Sequence, residues 1–428
     1  MRPFVLLLLL LLCPAGLSAR SLVLLEARAR APERLYLGPQ VFLLLRALEG
    51  SSLAGALVEE DHPVVLAEPA AGALPWSAWN LSLLRVKSAW SYSRGRGVLV
   101  AILDTGLDLH HPALQANLWR NRGEDWLDER TPGYNGLDDD GNGVVDDYYG
   151  YNAIEHSGRV EDDHGHGTAV AGIIGASGEG YTGVAPGVRF LVLKVLDENG
   201  QGYVSDVLRA LAYALEIKRR TGLALVFNLS WALAYPSQVL KEALEGVYEE
   251  AQAPFVVAAG NDGLDLRVIG QYPASFPLRG QITVTSLSPR GKLSWFANYG
   301  PGVVDLAAPG ESILAPWRGG GFRVLSGTSF ATAHVTGLVA LLLARNPRAR
   351  PWELQQALLA GAVRVPGLEP WVTRGRVAHA LRPFLLWYGP RPFDLSGNNQ
   401  VDPGDFLLFG LRLGAEAWWS LGSDWQAF

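Results

Sequence analysis

Residues 97–106 read GVLVAILDTG, an unbroken apolar run from Val98 to Leu103 closed by Asp104, Thr105 and Gly106. A short continuous apolar stretch of this kind is how a strand buried on both faces reads, and its polar end is where a functional side chain surfaces. Working outward, similar runs recur at 188–197 (VRFLVLKVLD), 223–231 (LALVFNLSW), 253–262 (APFVVAAGND) and 281–288 (QITVTSLS). Between them lie helical patterns at 204–220, with a Ser/Asp start and a basic finish, and at 237–252. Strands alternating with helices imply an α/β fold, a parallel sheet wrapped by helices, with the ligand site at the strands' carboxyl ends. Residues 330–346 (FATAHVTGLVALLLARN) are apolar nearly all round, which predicts a centrally buried helix.

The 428 residues are 49% hydrophobic, enough for a large core. A formal charge of −6 without runs of Lys or Arg gives no footprint for phosphate backbones, so nucleic acid is not an expected partner. The first residues, MRPFVLLLLLLLCPAGLSAR, place one Arg before an apolar run from Phe4 to Leu12 and end in small residues. That pattern predicts a secretory signal over 1–19 and an extracellular protein; the run is shorter than the roughly 20 apolar residues a membrane anchor needs. Leu12 stands where lipid attachment at Cys13 would want a small residue. The only cysteine, Cys13, and the only methionine, Met1, lie in this leader, so the processed chain has no disulfide framework and is expected to rest on core packing and bound metal. Residues 20–74 read as a small separate unit closed by the flexible AAGAL, residues 75–382 as the main domain, and residues 383–428 as a tail of different composition.

Three motifs carry chemistry: ILDTG around Asp104, HGTAVAG from His166 and GTSFATAHVTG around Ser329. A Ser hydroxyl is a weak nucleophile until a neutral imidazole accepts its proton, and the resulting imidazolium needs an oriented carboxylate. Taken singly, Ser329 could be a helix cap and Asp104 a strand-end turn residue. His164 competes with His166 for the role of base, while His110 and His111 follow Asp104 in a loop-like stretch and are expected to face solvent.

The order Asp, His, Ser is that of subtilisin, and residues 75–381 resemble the catalytic domain of the subtilisin-like serine proteases, the subtilase or peptidase S8 family. VVAAGND, FNLSWA, YPASF, FANYG, VDLAAPGESIL and GRVAHAL match further family landmarks in order. The resemblance implies a three-layer sandwich with a mainly parallel sheet, and a serine endopeptidase acting on polypeptides as a monomer. It makes Ser329 the nucleophile, His166 the base and Asp104 its orienter. Asn261, with the Ser329 amide, would bind the oxyanion, and Ser230, Trp231, Ala232, Ala259 and Gly260 would contact substrate. The family pattern holds His at Ala169, Gly at Ala232, Met at Phe330 and Pro at Ala333. Ala232 adds a methyl group at the pocket rim, so substrate preference does not carry over.

Between Asp104 and His166 an acidic insertion reads GLDDDGNGVVDDYYGYN. Asp138, Asp140, Asn142, the Val144 carbonyl and Asp147, with Gly143 for the turn, have the spacing by which a loop wraps Ca²⁺ as a structural ion. Some relatives carry a similar loop. The tail segment DLSGNNQVDPGDFLLFG resembles one degenerate dockerin-type calcium repeat, with Asp394, Ser396, Asn398, Gln400, Asp402 and Asp405 as ligands and Asn399 where Gly is usual. By the same resemblance, 20–74 stands in the place of a propeptide that folds, inhibits and is then removed, VEEDHPVVLAEP resembling its usual end. The cut is expected between Glu68 and Trp76.

Overall fold

The computed structural model describes residues 8–10, 21–25, 56–60, 62–66, 79–127, 132–178 and 180–388. The expected tail ligands from Asp394 to Asp405 lie outside them. The chain divides into two units, 1–383 and 384–428. Of the second, only the end of a short helix, Arg382–Tyr388, is described.

Strands β1 (Leu8–Leu10), β2 (Ser21–Leu25) and β3 (Ala56–Glu60) form a small antiparallel sheet, its first strand falling within the expected leader. Next come β4 (Pro63–Leu66), two short helices α1 (Trp79–Leu83) and α2 (Val86–Ala89), and then β5 (Val98–Asp104). The main domain continues through β6 (Gly150–Asn152), α3 (His166–Gly175), β7 (Arg189–Lys194), β8 (Gln201–Tyr203), α4 (Val204–Thr221), β9 (Ala224–Leu229) and β10 (Trp231–Ala232). It is completed by α5 (Gln238–Ala251), β11 (Phe255–Ala258), β12 (Gln281–Leu287), β13 (Leu306–Pro309), the hairpin β14 (Ile313–Trp317) and β15 (Gly321–Leu325), α6 (Thr328–Arg345), α7 (Pro351–Gly361), β16 (Val363–Arg364) and β17 (Arg376–Val377).

The large sheet runs β16-β17-β13-β12-β11-β9-β5-β7-β6 and is parallel except at β16–β17. Its continuous apolar runs become strands buried along their whole length, as in β5, β9, β11 and β12. Alternate residues then serve opposite faces. Leu99, Ala101, Leu103, Phe227 and Val257 pack beneath α4 and α5, while α3 and α6 cover the other face. The amphipathic α4 takes the Asp206 carboxylate onto the Tyr203 amide at its start and ends on Gly222 in the left-handed region, with Lys218, Arg219 and Arg220 against the negative end of its dipole. Ser237 caps α5 by accepting from the Leu240 amide at 3.0 Å. Helix α6 alone among the described helices is long and apolar enough to cross a membrane, but 89% of it is buried inside the protein, as expected of a central core helix.

From β5 the chain builds one half of the sheet toward β7 and β6, and the other toward β9, β11, β12 and β13. The strand order therefore reverses beside β5, which opens a crevice at the carboxyl ends of β5 and β9.

Candidate active site

Alternation along β5 sets Asp104 opposite in facing to Leu103, toward α3 and α6. There His166, the first residue of α3, places Nδ1 2.8 Å from Asp104 Oδ1 and 3.0 Å from Oδ2, with both side chains fully buried. A carboxylate can only accept, so Nδ1 donates and Nε2 keeps its lone pair. Gly165 before it has φ of 114°, and a Cβ there would lie 2.5 Å from the Trp317 ring, so only glycine lets α3 begin at this point.

Two residues that the sequence did not single out hold this pair. Asp162 is buried and accepts from Thr105 Oγ1 (2.8 Å), the amides of His164 (3.1 Å), Gly165 (2.7 Å) and Thr168 (2.9 Å), and Thr168 Oγ1 (2.6 Å). Burial alone would raise its pKa, but the hydrogen bonds from Thr168, Gly165 and Thr105 outweigh it and hold the carboxyl below its ordinary value. Asp162 thus ties the end of β5 to the start of α3. Lys194, at the end of β7, donates to the Thr105 carbonyl and to Asp163, each at 2.6 Å.

Ser329 is the second residue of α6, and its backbone amide is one of those that no preceding turn can satisfy. Its Oγ donates to the Ser230 carbonyl at 3.2 Å, while Ser230 Oγ donates to the Ser329 carbonyl at 3.3 Å, so the end of β9 and the head of α6 are cross-tied. Asn228 Nδ2 completes the tie on Ser230 Oγ. Asn261 accepts the Thr328 amide at 2.8 Å, and a Cβ built on Gly327 would stand 3.3 Å from Asn261 Nδ2, which puts that amide group beside the turn leading to Ser329. Gly260, at φ of 101°, leaves no room for a Cβ against Gln271 and donates to Thr328 Oγ1; the Ala259 carbonyl accepts from Asn298. Trp231 is buried and Ala232 half-buried in β10.

The structure therefore joins Asp104 to His166 directly, and Ser329 to Ser230 at the neighbouring strand end, where Asn261 bonds Thr328 one residue before the serine, with the Phe330 ring 5.5 Å from the imidazole. His166 Nε2 has no hydrogen-bond partner among the described residues. The Ser329 hydroxyl is held on the Ser230 carbonyl, so the two side chains do not bond each other in this structure; catalytic hydrogen bonds of this kind often tighten only once substrate is bound. His164 stands aside, its ring 6.4 Å from that of His166, with its pKa lowered by burial and by His166. His110 faces solvent as expected. His111 does not: it is buried, bonds the Gly321 carbonyl at 2.9 Å and sets its ring edge on Phe322, because the β14–β15 hairpin folds over it. Ala169, Phe330 and Ala333 are all buried. A cavity of about 300 Å³ lined by Leu83, Leu287, Val363 and Val377 contains none of the residues of the site.

In the acidic insertion Glu124, Asp138 and Asp140 bring one carboxylate oxygen each within 4.8 Å of one another. Glu124 was not foreseen. It is buried, neither of its oxygens has a donor, and burial together with Asp147 and Asp140 pushes its pKa up to about 8. Asp147 is raised to about 6 by burial, against hydrogen bonds from Tyr213, Asn121 and Asn142. The Asn142 side-chain oxygen accepts from Val144 N at 2.8 Å, and Asn142 Nδ2 donates to Asp147 at 2.8 Å.

The profile of the Subtilase family matches residues 95–389. An intracellular serine protease of Paenibacillus polymyxa is 35% identical over 61% of this chain and 72% of its own length. A minor extracellular protease of Bacillus subtilis is 28% identical over 65% and 37%, and a subtilisin-like protease 1 of Plasmodium berghei 29% identical over 63% and 47%. This chain thus spans about half, or less, of the length of the last two relatives. A solved cold-adapted subtilisin-like serine proteinase superposes with a TM-score of 0.55 at 28% identity, covering 68% of this chain and 90% of its own. The fold is that of this structure, and the chain belongs to the subtilase family.

Proposed function

We propose that this protein is a serine endopeptidase, secreted as a precursor and stabilised by calcium. The observation that carries the reading is the fully buried Asp104–His166 pair, whose Nε2 has no partner among the described residues and whose ring lies 5.5 Å from that of Phe330, the residue after Ser329. Ser329 Oγ attacks the scissile carbonyl while His166 Nε2 takes its proton. The oxyanion is met by Asn261 Nδ2 and the Ser329 amide. The imidazolium, held by Asp104, passes the proton to the departing amine, and water then releases the acyl group by the same steps in reverse order. Ser230, Trp231, Ala232, Ala259 and Gly260 line the path of the bound chain.

Glu124, with two donorless buried oxygens beside Asp138 and Asp140, fits a hard cation with oxygen ligands. Calcium bound there would offset the mutual repulsion and cross-link the insertion; Asn142, Val144 and Asp147 remain candidates on loop spacing. The leader supports secretion, and the B. subtilis relative is extracellular by name. Residues 20–74 are the propeptide in this reading, and the processed enzyme works as a monomer on polypeptides.

The test is hydrolysis of casein by the purified protein and its Ser329→Ala variant. Turnover is expected to fall by about 10⁶, the magnitude known from subtilisin in the same family, with the unfolding temperature little changed. Equal activity in both proteins contradicts the reading.

A further inference from the structure

The cavity of about 300 Å³ lies where three stretches distant in sequence meet: the junction of α1 and α2, the end of β12, and the pair β16–β17. Val363 pairs with Val377 across β16 and β17, and Val365 continues that ladder through its amide on the Gly375 carbonyl at 2.9 Å. With Leu83 and Leu287 these valines make the apolar part of the wall. The Ala380 amide donates to the Leu84 carbonyl at 2.7 Å, which brings Arg85 and His379 to the same lining. At about 30 Å³ for each water-sized group, the space holds about ten heavy atoms.

The polar part of the wall carries one sign of charge. Among the described residues no Asp or Glu lines the cavity. His379 Nδ1 accepts the amides of Leu381 and Arg382, each at 3.1 Å, so the neutral ring keeps its proton on Nε2 and offers a donor there. Burial first, then the positive charges of Arg382 and Arg85, lower its pKa from 6.5 to about 4. Arg85 is exposed and stands at φ of 57° and ψ of 36°, the left-handed region where glycine is the usual occupant. An apolar cavity with a few convergent polar groups is the common form of a small-molecule site.

We infer that this cavity binds an aliphatic monocarboxylate of about eight carbons, its chain against Leu287, Val363 and Val377 and its carboxylate on the Arg85 guanidinium and His379 Nε2. A guanidinium takes a carboxylate by two parallel hydrogen bonds, and the imidazole adds a third. A neutral ligand of the same length fills the apolar part and leaves the cation unanswered. A shorter acid answers the cation and leaves the apolar wall bare. The site shares no residue with the peptidase reading and stands or falls without it.

Isothermal titration of the full-length Ser329→Ala protein with sodium octanoate tests the assignment. A dissociation constant below about 1 mM is expected, with binding of octan-1-ol weaker by about tenfold or more. Each methylene removed between octanoate and butanoate should weaken binding about threefold to fourfold. Arg85→Gly suits the left-handed backbone, so its unfolding temperature without ligand should match that of the parent, while its affinity for octanoate falls about tenfold or more. Absence of octanoate binding at about 10 mM, equal binding of octan-1-ol, no dependence on chain length, or an unchanged constant in Arg85→Gly overturns the assignment.

Discussion

At the head of α3, Asp162 lies buried among five donors; in the acidic insertion, Glu124 lies as deeply buried with none. The first carboxyl is held below its usual pKa and the second is pushed up to about 8. Burial acts on both in the same direction, so the difference comes from what faces the oxygens. Near Asp162 the chain supplies backbone amides and two threonine hydroxyls, which finish the site without help. Around Glu124 it supplies Asp138, Asp140 and Asp147, which leave the group waiting for positive charge. The first region is finished by its own hydrogen bonds; the second is the one that the proposed cation would complete.

The comparison can be broken first at its satisfied end. Asp162→Ala strands the amides of Gly165 and Thr168 and frees the head of α3, so a loss of about 3 kcal/mol in stability is expected, together with a fall in kcat larger than any change in KM. Denaturant unfolding in the Ser329→Ala background gives the first number and peptide kinetics the second. An Asn261→Ala variant should lose less stability, about 1 kcal/mol for the stranded Thr328 amide, and about 10² to 10³ in kcat, as the corresponding loss does in subtilisin.

At the unsatisfied end the sign of the effect should depend on the ion. With chelator present, Glu124→Gln is expected to be more stable than the parent by about 1 kcal/mol or more, because a donorless buried acid has been removed. With millimolar calcium the order should reverse. Thermal unfolding of both proteins with and without calcium checks the crossing, and parallel curves would remove Glu124 from the ion site.

A smaller effect separates a third buried group. His334 in α6 is enclosed between the Phe330 carbonyl, 2.7 Å from Nδ1, and Asn80 Nδ2, 2.8 Å from Nε2; burial lowers its pKa from 6.5 to about 4. The unfolded chain therefore takes up the proton first as pH falls. Stability is fully present above about pH 6.5 and declines toward pH 4, by at most about 3 kcal/mol. His334→Gln should flatten that slope between pH 4 and 6.5, read as unfolding free energy against pH.

Much of this was legible in the sequence. The apolar runs ending in Asp104 and Leu229 could only be strands buried on both faces, and a helix as apolar as α6 had to lie inside. The two halves of the site followed from those placements, since Asp104 ends one strand and Ser329 opens the buried helix. Glu124 was not legible, because it sits in NRGEDW with no regular spacing to Asp138 and reaches it only by folding. Asp162 was hidden for the opposite reason: its partners are mostly backbone amides, which any residue provides. His111 was misjudged because the hairpin that buries it, β14–β15, lies more than two hundred residues along the chain.

Mapping the site of a fluorophosphonate label by mass spectrometry tests the central assignment most directly. The modification is expected on Ser329 alone, and it should vanish in His166→Ala while that variant still folds. A label on another serine, or undiminished labelling of Ser329 without His166, would contradict it.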